Sequence, residues 1–178
     1  PSSPRPRGGE RVRAVVVVPT YDERDNLPWL VAGVLRAAPD AHVLVVDDAS
    51  PDGTGDEADA LADADPRVRV LHRPEKRGLG AAYVAGFSRA LADGYDAVVQ
   101  MDADLSHDPR DVPRLLAALE DGADVAIGSR NVPGGSVRGW GPGRHLLSKG
   151  GSLYSRWVLS VPVKDLTSGF KAWRRDAL

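Results

Sequence analysis

A regular alternation along its length limits what this chain can fold into. Five short apolar runs, at residues 14–18, 43–46, 68–71, 97–101 and 125–127, are separated by stretches whose apolar residues recur every three or four positions. The runs are short, mostly valine-rich and bounded by polar or turn-forming residues, so they read as buried strands. Three of the separating stretches carry a clear helical stripe: Leu27, Leu30, Val31, Val34 and Leu35; then Leu79, Ala82, Tyr83, Phe87 and Leu91; then Val112, Leu115, Leu116 and Leu119. Residues 55–64 show the same spacing more weakly. Strands joined through helices pair in parallel and bury both faces of their sheet. The expected fold class is therefore α/β, a mostly parallel central sheet flanked by helices. Pro19 is expected to halt the first strand, because proline gives no N–H to a ladder.

Residues 1–13 are rich in Pro, Ser, Gly and Arg and lack apolar periodicity, so they read as a flexible leader to a domain over 14–178. Residues 131–143 hold five glycines and two prolines and read as a long loop. A helix is expected over 145–159, with Leu146, Leu147, Leu153, Tyr154, Trp157 and Val158 on one side, and a last strand over 167–173. Arg174, Arg175 and Asp176 begin a new element where the chain stops, so a C-terminal truncation is expected. The 178 residues include no cysteine, which excludes disulfides, thiolate metal sites and a cysteine nucleophile. No run approaches the ~18 apolar residues of a membrane span, and nothing reads as a signal peptide, so a cytosolic setting is expected.

The formal net charge is 23 − 25 = −2, which argues against a general nucleic-acid partner. Its distribution is uneven. Residues 1–129 carry 14 basic and 23 acidic side chains, whereas residues 130–178 carry 9 and 2. The last part of the chain is thus suited to face an anion, although a basic patch that only aids solubility reads the same way.

In an open parallel sheet, ligands bind beyond the carboxyl ends of the strands. Those ends are unusually polar here, and carboxylates converging from several strands repel one another unless a cation lies among them. Asp102 and Asp104, one residue apart directly after a strand, are candidates to hold a hard ion such as Mg2+ or Mn2+, whose shell substrate phosphates often complete. The same spacing at Asp63 and Asp65 follows a weak helix and reads as solvated surface. Asp47 and Asp48 can accept from the N–H groups of a base or from ribose hydroxyls, while Ser50-Pro51-Asp52-Gly53 beside them also reads as an ordinary turn. Tyr21 can stack on a base or simply pack. Gly78-Leu79-Gly80, after Lys76 and Arg77, is a weak phosphate-loop signal. His107 can approach the metal or orient the next helix start at Asp108-Pro109, and the second reading is preferred. No Ser/His/Asp set can be placed, which leaves a hydrolase triad without support.

Five segments stand in order along the chain: Val17-Val18-Pro19-Thr20-Tyr21-Asp22-Glu23, Val45-Val46-Asp47-Asp48-Ala49-Ser50-Pro51-Asp52-Gly53-Thr54, Met101-Asp102-Ala103-Asp104-Leu105-Ser106-His107, Gly128-Ser129-Arg130 and Asp165-Leu166-Thr167-Ser168-Gly169-Phe170-Lys171. This set resembles the family 2 glycosyltransferases, which have the GT-A nucleotide-sugar-binding fold, and among them the dolichol- or polyprenol-phosphate mannose synthases. The resemblance covers about residues 14–178. It implies that Pro19, Tyr21, Glu23, Val46, Asp47, Asp48, Asp102 and Ala103 hold the nucleotide sugar, GDP-mannose. It places Mg2+ or Mn2+ on Asp102 and Asp104. Ser106 stands where relatives often have a glutamine, and its shorter reach leaves that coordination site to water. Arg130, Arg144 and Ser148 match acceptor-phosphate positions, all within the basic part of the chain, and Asp104 and Arg130 carry the catalytic roles.

The implied reaction is transfer of mannose to a polyprenyl or dolichyl phosphate, with inversion at the anomeric carbon. The implied setting is peripheral, on the cytoplasmic face of a membrane, with a membrane-anchoring domain or subunit as a further partner, since relatives continue well beyond position 178. Three alternatives stay open at this stage. They are a transferase of UDP-glucose or another nucleotide sugar with a different acceptor, a non-catalytic nucleotide-binding module, and a metal-dependent nucleotidyltransferase.

Overall fold

The valine-rich run at the start of the domain becomes the centre of the sheet. Strand β1 (Ala14–Thr20) is buried at all seven positions, as a strand must be when it has a neighbour on each side and helices on both faces. The structure, a computed structural model, describes residues 12–129 and 168–178. After β1 come α1 (Leu27–Ala37), β2 (His42–Asp47), α2 (Thr54–Ala64), β3 (Val68–His72), α3 (Leu79–Ala92), β4 (Ala97–Gln100), α4 (Val112–Glu120), β5 (Val125–Ile127) and β6 (Lys171–Arg174). The sheet order is β3-β2-β1-β4-β6-β5, with β1, β2, β3 and β4 parallel and β6 antiparallel to both of its neighbours. The α/β class and the mostly parallel sheet are as expected. The expected loop over 131–143, the helix over 145–159, and Arg130, Arg144 and Ser148 lie outside the described residues.

Alternate residues of the strands feed two cores. Val16, Val18, Val43, Val45 and Val99 meet α1 and α4 on one face, while Val15, Val17, Leu44, Val46 and Val98 meet α3 on the other. Gly86 lets α3 lie close, since a Cβ there would stand 2.4 Å from Val17 Cγ1. Two expectations change at the first strand. Pro19 does not halt it, because Val17 accepts from the Met101 N–H and Thr20 from the Asp48 N–H. That alternation aims the backbone of residue 19 at the β4 side, past the last ladder pair of Val17 with Gln100, so no N–H is needed there. Val12 and Arg13, read as the end of a flexible leader, are instead held. Val12 packs on the core, and Arg13 lies 4.5 Å over the Tyr95 ring and donates to the Asp93 carbonyl at 2.8 Å.

The last strand spans Lys171–Arg174 rather than 167–173. Its direction matters more than its length. Because β6 runs opposite to β1, β2 and β4, its beginning lies at the edge where those strands end. Ser168, Gly169 and Phe170 are thereby delivered to the polar edge of the sheet.

Candidate functional site

Three loops leave the carboxyl edge after β1, β2 and β4, and each contains one non-glycine residue in the left-handed region: Asp22 at φ 60°, Ala49 at φ 54° and Leu105 at φ 58°. Such residues cost about 1 kcal/mol or more and persist where surrounding structure over-determines them. The first two loops are fastened to each other. Asp22 N–H donates to Ser50 Oγ at 3.2 Å, Glu23 N–H to Thr54 Oγ1 at 3.0 Å, and Arg24 N–H to Asp52 Oδ2 at 3.2 Å. The Thr54 hydroxyl donates to Asp52 at 2.6 Å, and this bond holds the Asp52 carboxyl below its ordinary range. The turn-like sequence after β2 is thus half of a two-loop platform.

The adjacent acids at the end of β2 are both buried, at 3% and 4% exposure, and they are satisfied in different ways. Among the described residues, Asp47 accepts from neutral donors, including the Thr20 hydroxyl at 3.1 Å and the Ser50 N–H at 3.1 Å. Its geometry shapes the loop. Asp48 takes a cation: Arg73 Nη1 stands 2.6 Å from its Oδ1, with both side chains largely buried. The Arg77 N–H lies 3.4 Å from the other oxygen. The ion that crowded carboxylates require is here a side chain from the end of β3. Tyr21 carries Lys76 Nζ 3.4 Å above its ring, so one face of the tyrosine meets a cation.

The third loop is built around Asp102. The buried Tyr83 hydroxyl donates to Asp102 Oδ1 at 2.6 Å. Burial, and then the charge of Asp102, push the Tyr83 phenol well above its usual range, so it remains a donor. His107 Nε2 lies 3.6 Å from Asp102 Oδ2, and its ring stacks on Phe170 with centroids 5.1 Å apart. The cap of the following turn is Asp108, whose carboxylate accepts from the Arg110 N–H at 2.9 Å, whereas the buried His107 turns inward to Asp102. Gly169 closes the arrangement. A Cβ there would come 2.6 Å from Asp102 Oδ2, so any larger residue would have to displace that carboxylate. Ser168 Oγ donates to the Gly128 carbonyl at 2.7 Å, and the Gly128 N–H donates to the Phe170 carbonyl at 2.9 Å. The Ser-Gly-Phe and Gly-Ser segments, 40 residues apart, therefore meet at one seam.

Asp104 is exposed and accepts the Ser106 N–H at 3.0 Å. Among the described residues, no group of three or more His, Asp or Glu side chains is gathered to hold a metal ion. Asp102 and Asp104 nevertheless offer hard carboxylate oxygens of the kind Mg2+ and Mn2+ prefer, so the pair suits an ion that draws its other ligands from water and phosphate. Pro19, Val46 and Ala103 lie in or beside the strand ends, and Val46 and Ala103 are buried. No sequence motif marks Arg73, and in the sequence Tyr83 belongs to an apolar stripe. Arg73 follows a strand directly, so the strand-end rule that found the acids was its available signal.

A sequence signature described as glycosyl transferase family 2 matches residues 15–178. The polyprenol monophosphomannose synthase of Mycolicibacterium smegmatis is 56% identical over 167 residues, which cover 93% of this chain and 63% of that protein. The undecaprenyl-phosphate mannosyltransferase of Micrococcus luteus is 51% identical over 167 residues, covering 94% of this chain and 68% of that protein. The chain thus spans about two thirds of the length of these curated relatives. Among solved structures, a mannosyltransferase from Pyrobaculum calidifontis, in complex with GDP-Man and Mn2+, superposes with a TM-score of 0.62 at 21% identity, over 99% of this chain and 48% of that one. That likeness shows the fold, and it is the GT-A arrangement that the motifs imply.

Proposed function

The chain belongs to glycosyl transferase family 2, and from that premise we propose that it transfers mannose from GDP-mannose to a polyprenyl phosphate, with inversion and release of GDP. The observation that carries this reading is the 56% identity to a polyprenol monophosphomannose synthase over 167 residues. The polar edge supports it, because the loops after β1, β2 and β4 bring base-binding and phosphate-side candidates into one row.

In this reading the guanosine lies over the platform of the first two loops. Pro19, Tyr21, Glu23 and Val46 line it, Asp48 accepts from base N–H groups, and Asp47 holds the loop in shape. Asp102, Ala103 and Asp104 face the diphosphate. Asp102 and Asp104, with Ser106 beside them, would hold Mg2+ or Mn2+, which would supply positive charge to the departing diphosphate. Arg130, Arg144 and Ser148 receive the acceptor phosphate, for which a guanidinium fork is well shaped. One phosphate oxygen forms the new bond to the anomeric carbon as the bond to the diphosphate breaks on the opposite face. The acceptor's second pKa is about 6, so near neutral pH it arrives as an anion and needs no strong general base. His107, stacked on Phe170 beside Asp102, is then free of that duty.

No helix among the described residues is long and apolar enough to cross a membrane. The lipid acceptor places the chain at a bilayer surface, and we assign it to the cytoplasmic face, with the anchor supplied by a further domain or subunit.

Calorimetric titration of the chain with GDP-mannose and with UDP-glucose, each with Mn2+ and with EDTA, tests the donor. Mn2+-dependent binding of GDP-mannose alone is the expected result. Preference for UDP-glucose overturns the donor assignment. Formation of polyprenyl-phosphate mannose with release of GDP then tests the acceptor.

A further inference from the structure

Among the described residues, Asp102 alone of the two acids in the Asp-Ala-Asp segment is tied into the folded core. Tyr83, one turn into α3, reaches it from the helix that covers β1 and β2, and donates to Oδ1 at 2.6 Å. The opposite oxygen faces His107 at 3.6 Å, and the backbone at Gly169 closes in on the same oxygen. Asp104, by contrast, is exposed, and its hydrogen bond to Ser106 N–H stays within its own loop. The carboxylate of Asp102 therefore has its rotation set by elements far apart in sequence.

We propose that Tyr83 is a positioning residue for the divalent-ion site, holding the Asp102 carboxylate in the orientation that ligates the ion. The inference rests on the reading of Asp102 and Asp104 as ion ligands. A carboxylate has about four lone-pair sites, so accepting one hydrogen bond at Oδ1 leaves it able to ligate. A ligand already fixed in direction loses less freedom when it binds. Outer partners of this kind typically change metal affinity by about 10–100-fold when removed. The buried phenol does have a simpler role available, which is to satisfy its own hydroxyl. The test must separate the two.

Tyr83→Phe keeps the ring and its packing and removes only the O–H. Mn2+ is titrated calorimetrically into GDP-saturated wild-type chain, Y83F, D102N and the double variant, with thermal unfolding of each alongside. Y83F is expected to weaken Mn2+ binding by about 10–100-fold while metal-free binding of GDP is unchanged. In the D102N background the same substitution is expected to change Mn2+ affinity by less than about twofold, because the tyrosine acts through that carboxylate. Equal Mn2+ affinity in wild type and Y83F overturns the proposal, whatever the melting temperature does. So does an equal loss in both backgrounds. Wild-type chain that binds GDP without any Mn2+ dependence overturns the metal reading and this inference together, a result distinct from either of the others.

Discussion

Asp48 shows how a buried charge is kept without an external ion. Its partner Arg73 stands at 2.6 Å, and the two side chains are 5% and 12% exposed. Removing one member of such a pair strands the other, at a typical cost of several kcal/mol. Arg73→Met is expected to destabilise the chain by about 3 kcal/mol in urea unfolding. The double variant with Asp48→Asn is expected to lose less than R73M alone, and an equal or larger loss would show that the pair is not the cause. Asp104 has no comparable burden, since it is exposed. Asp104→Asn is therefore expected to abolish the proposed mannosyl transfer while leaving the melting temperature within a few degrees; near-normal turnover would remove it from the proposed metal site. Gly169 belongs to the same scale. Gly169→Ala pushes a methyl group to within 2.6 Å of Asp102 Oδ2, and weaker Mn2+-dependent donor binding is the expected outcome in the same calorimetric measurement.

Helix α3 decides how closely one side of the sheet is covered. Gly86 is its point of approach, 2.4 Å from Val17 Cγ1 and 3.0 Å from Val46 Cγ2 if a Cβ is added. Overpacking costs about 1–3 kcal/mol, and the better helix propensity of alanine offsets about 1 of that. Gly86→Ala is expected to lower stability by about 1 kcal/mol, with partial recovery on adding Val17→Ala; a gain in stability would show that α3 can move outward freely. The same helix carries Tyr83 to Asp102, so its distance from the sheet also sets the geometry of the site. The helices α1, α3 and α4 are legible in their apolar stripes, because helical spacing repeats within a dozen residues, although Leu79 at the start of the α3 stripe is 56% exposed. What Tyr83 does with its hydroxyl is not legible there, because its partner lies 19 positions away and depends on how α3 sits.

At the scale of the described fold, the sheet edge opposite the candidate site carries a titratable contact of its own. At the edge where β1 and β2 begin, His42 Nδ1 lies 2.6 Å from the buried Tyr95 hydroxyl, with Arg13 over the tyrosine ring. Burial, then Arg13, Arg69 and Arg67, hold His42 below its ordinary value of 6.5. A histidine depressed on folding contributes stability that is fully present above the unfolded pKa and is lost as pH falls through the folded one. The urea midpoint is thus expected to be flat between about pH 8 and 7 and to fall below about pH 6.5, with His42→Gln flattening that limb. An unchanged acid limb in H42Q would assign it to other groups. The α/β class, the order of the described elements and the acids at the strand ends are all legible in local stretches of sequence. This is so because periodicity, β-branching and turn residues act over a few neighbours. That β6 enters antiparallel between β4 and β5 is instead a matter of packing across the sheet. That direction brings Gly169 against Asp102, just as the sheet order brings Arg73 to Asp48. Those contacts join residues from 25 to 67 positions apart, and their existence rests on strand direction and packing, which no local stretch of sequence encodes.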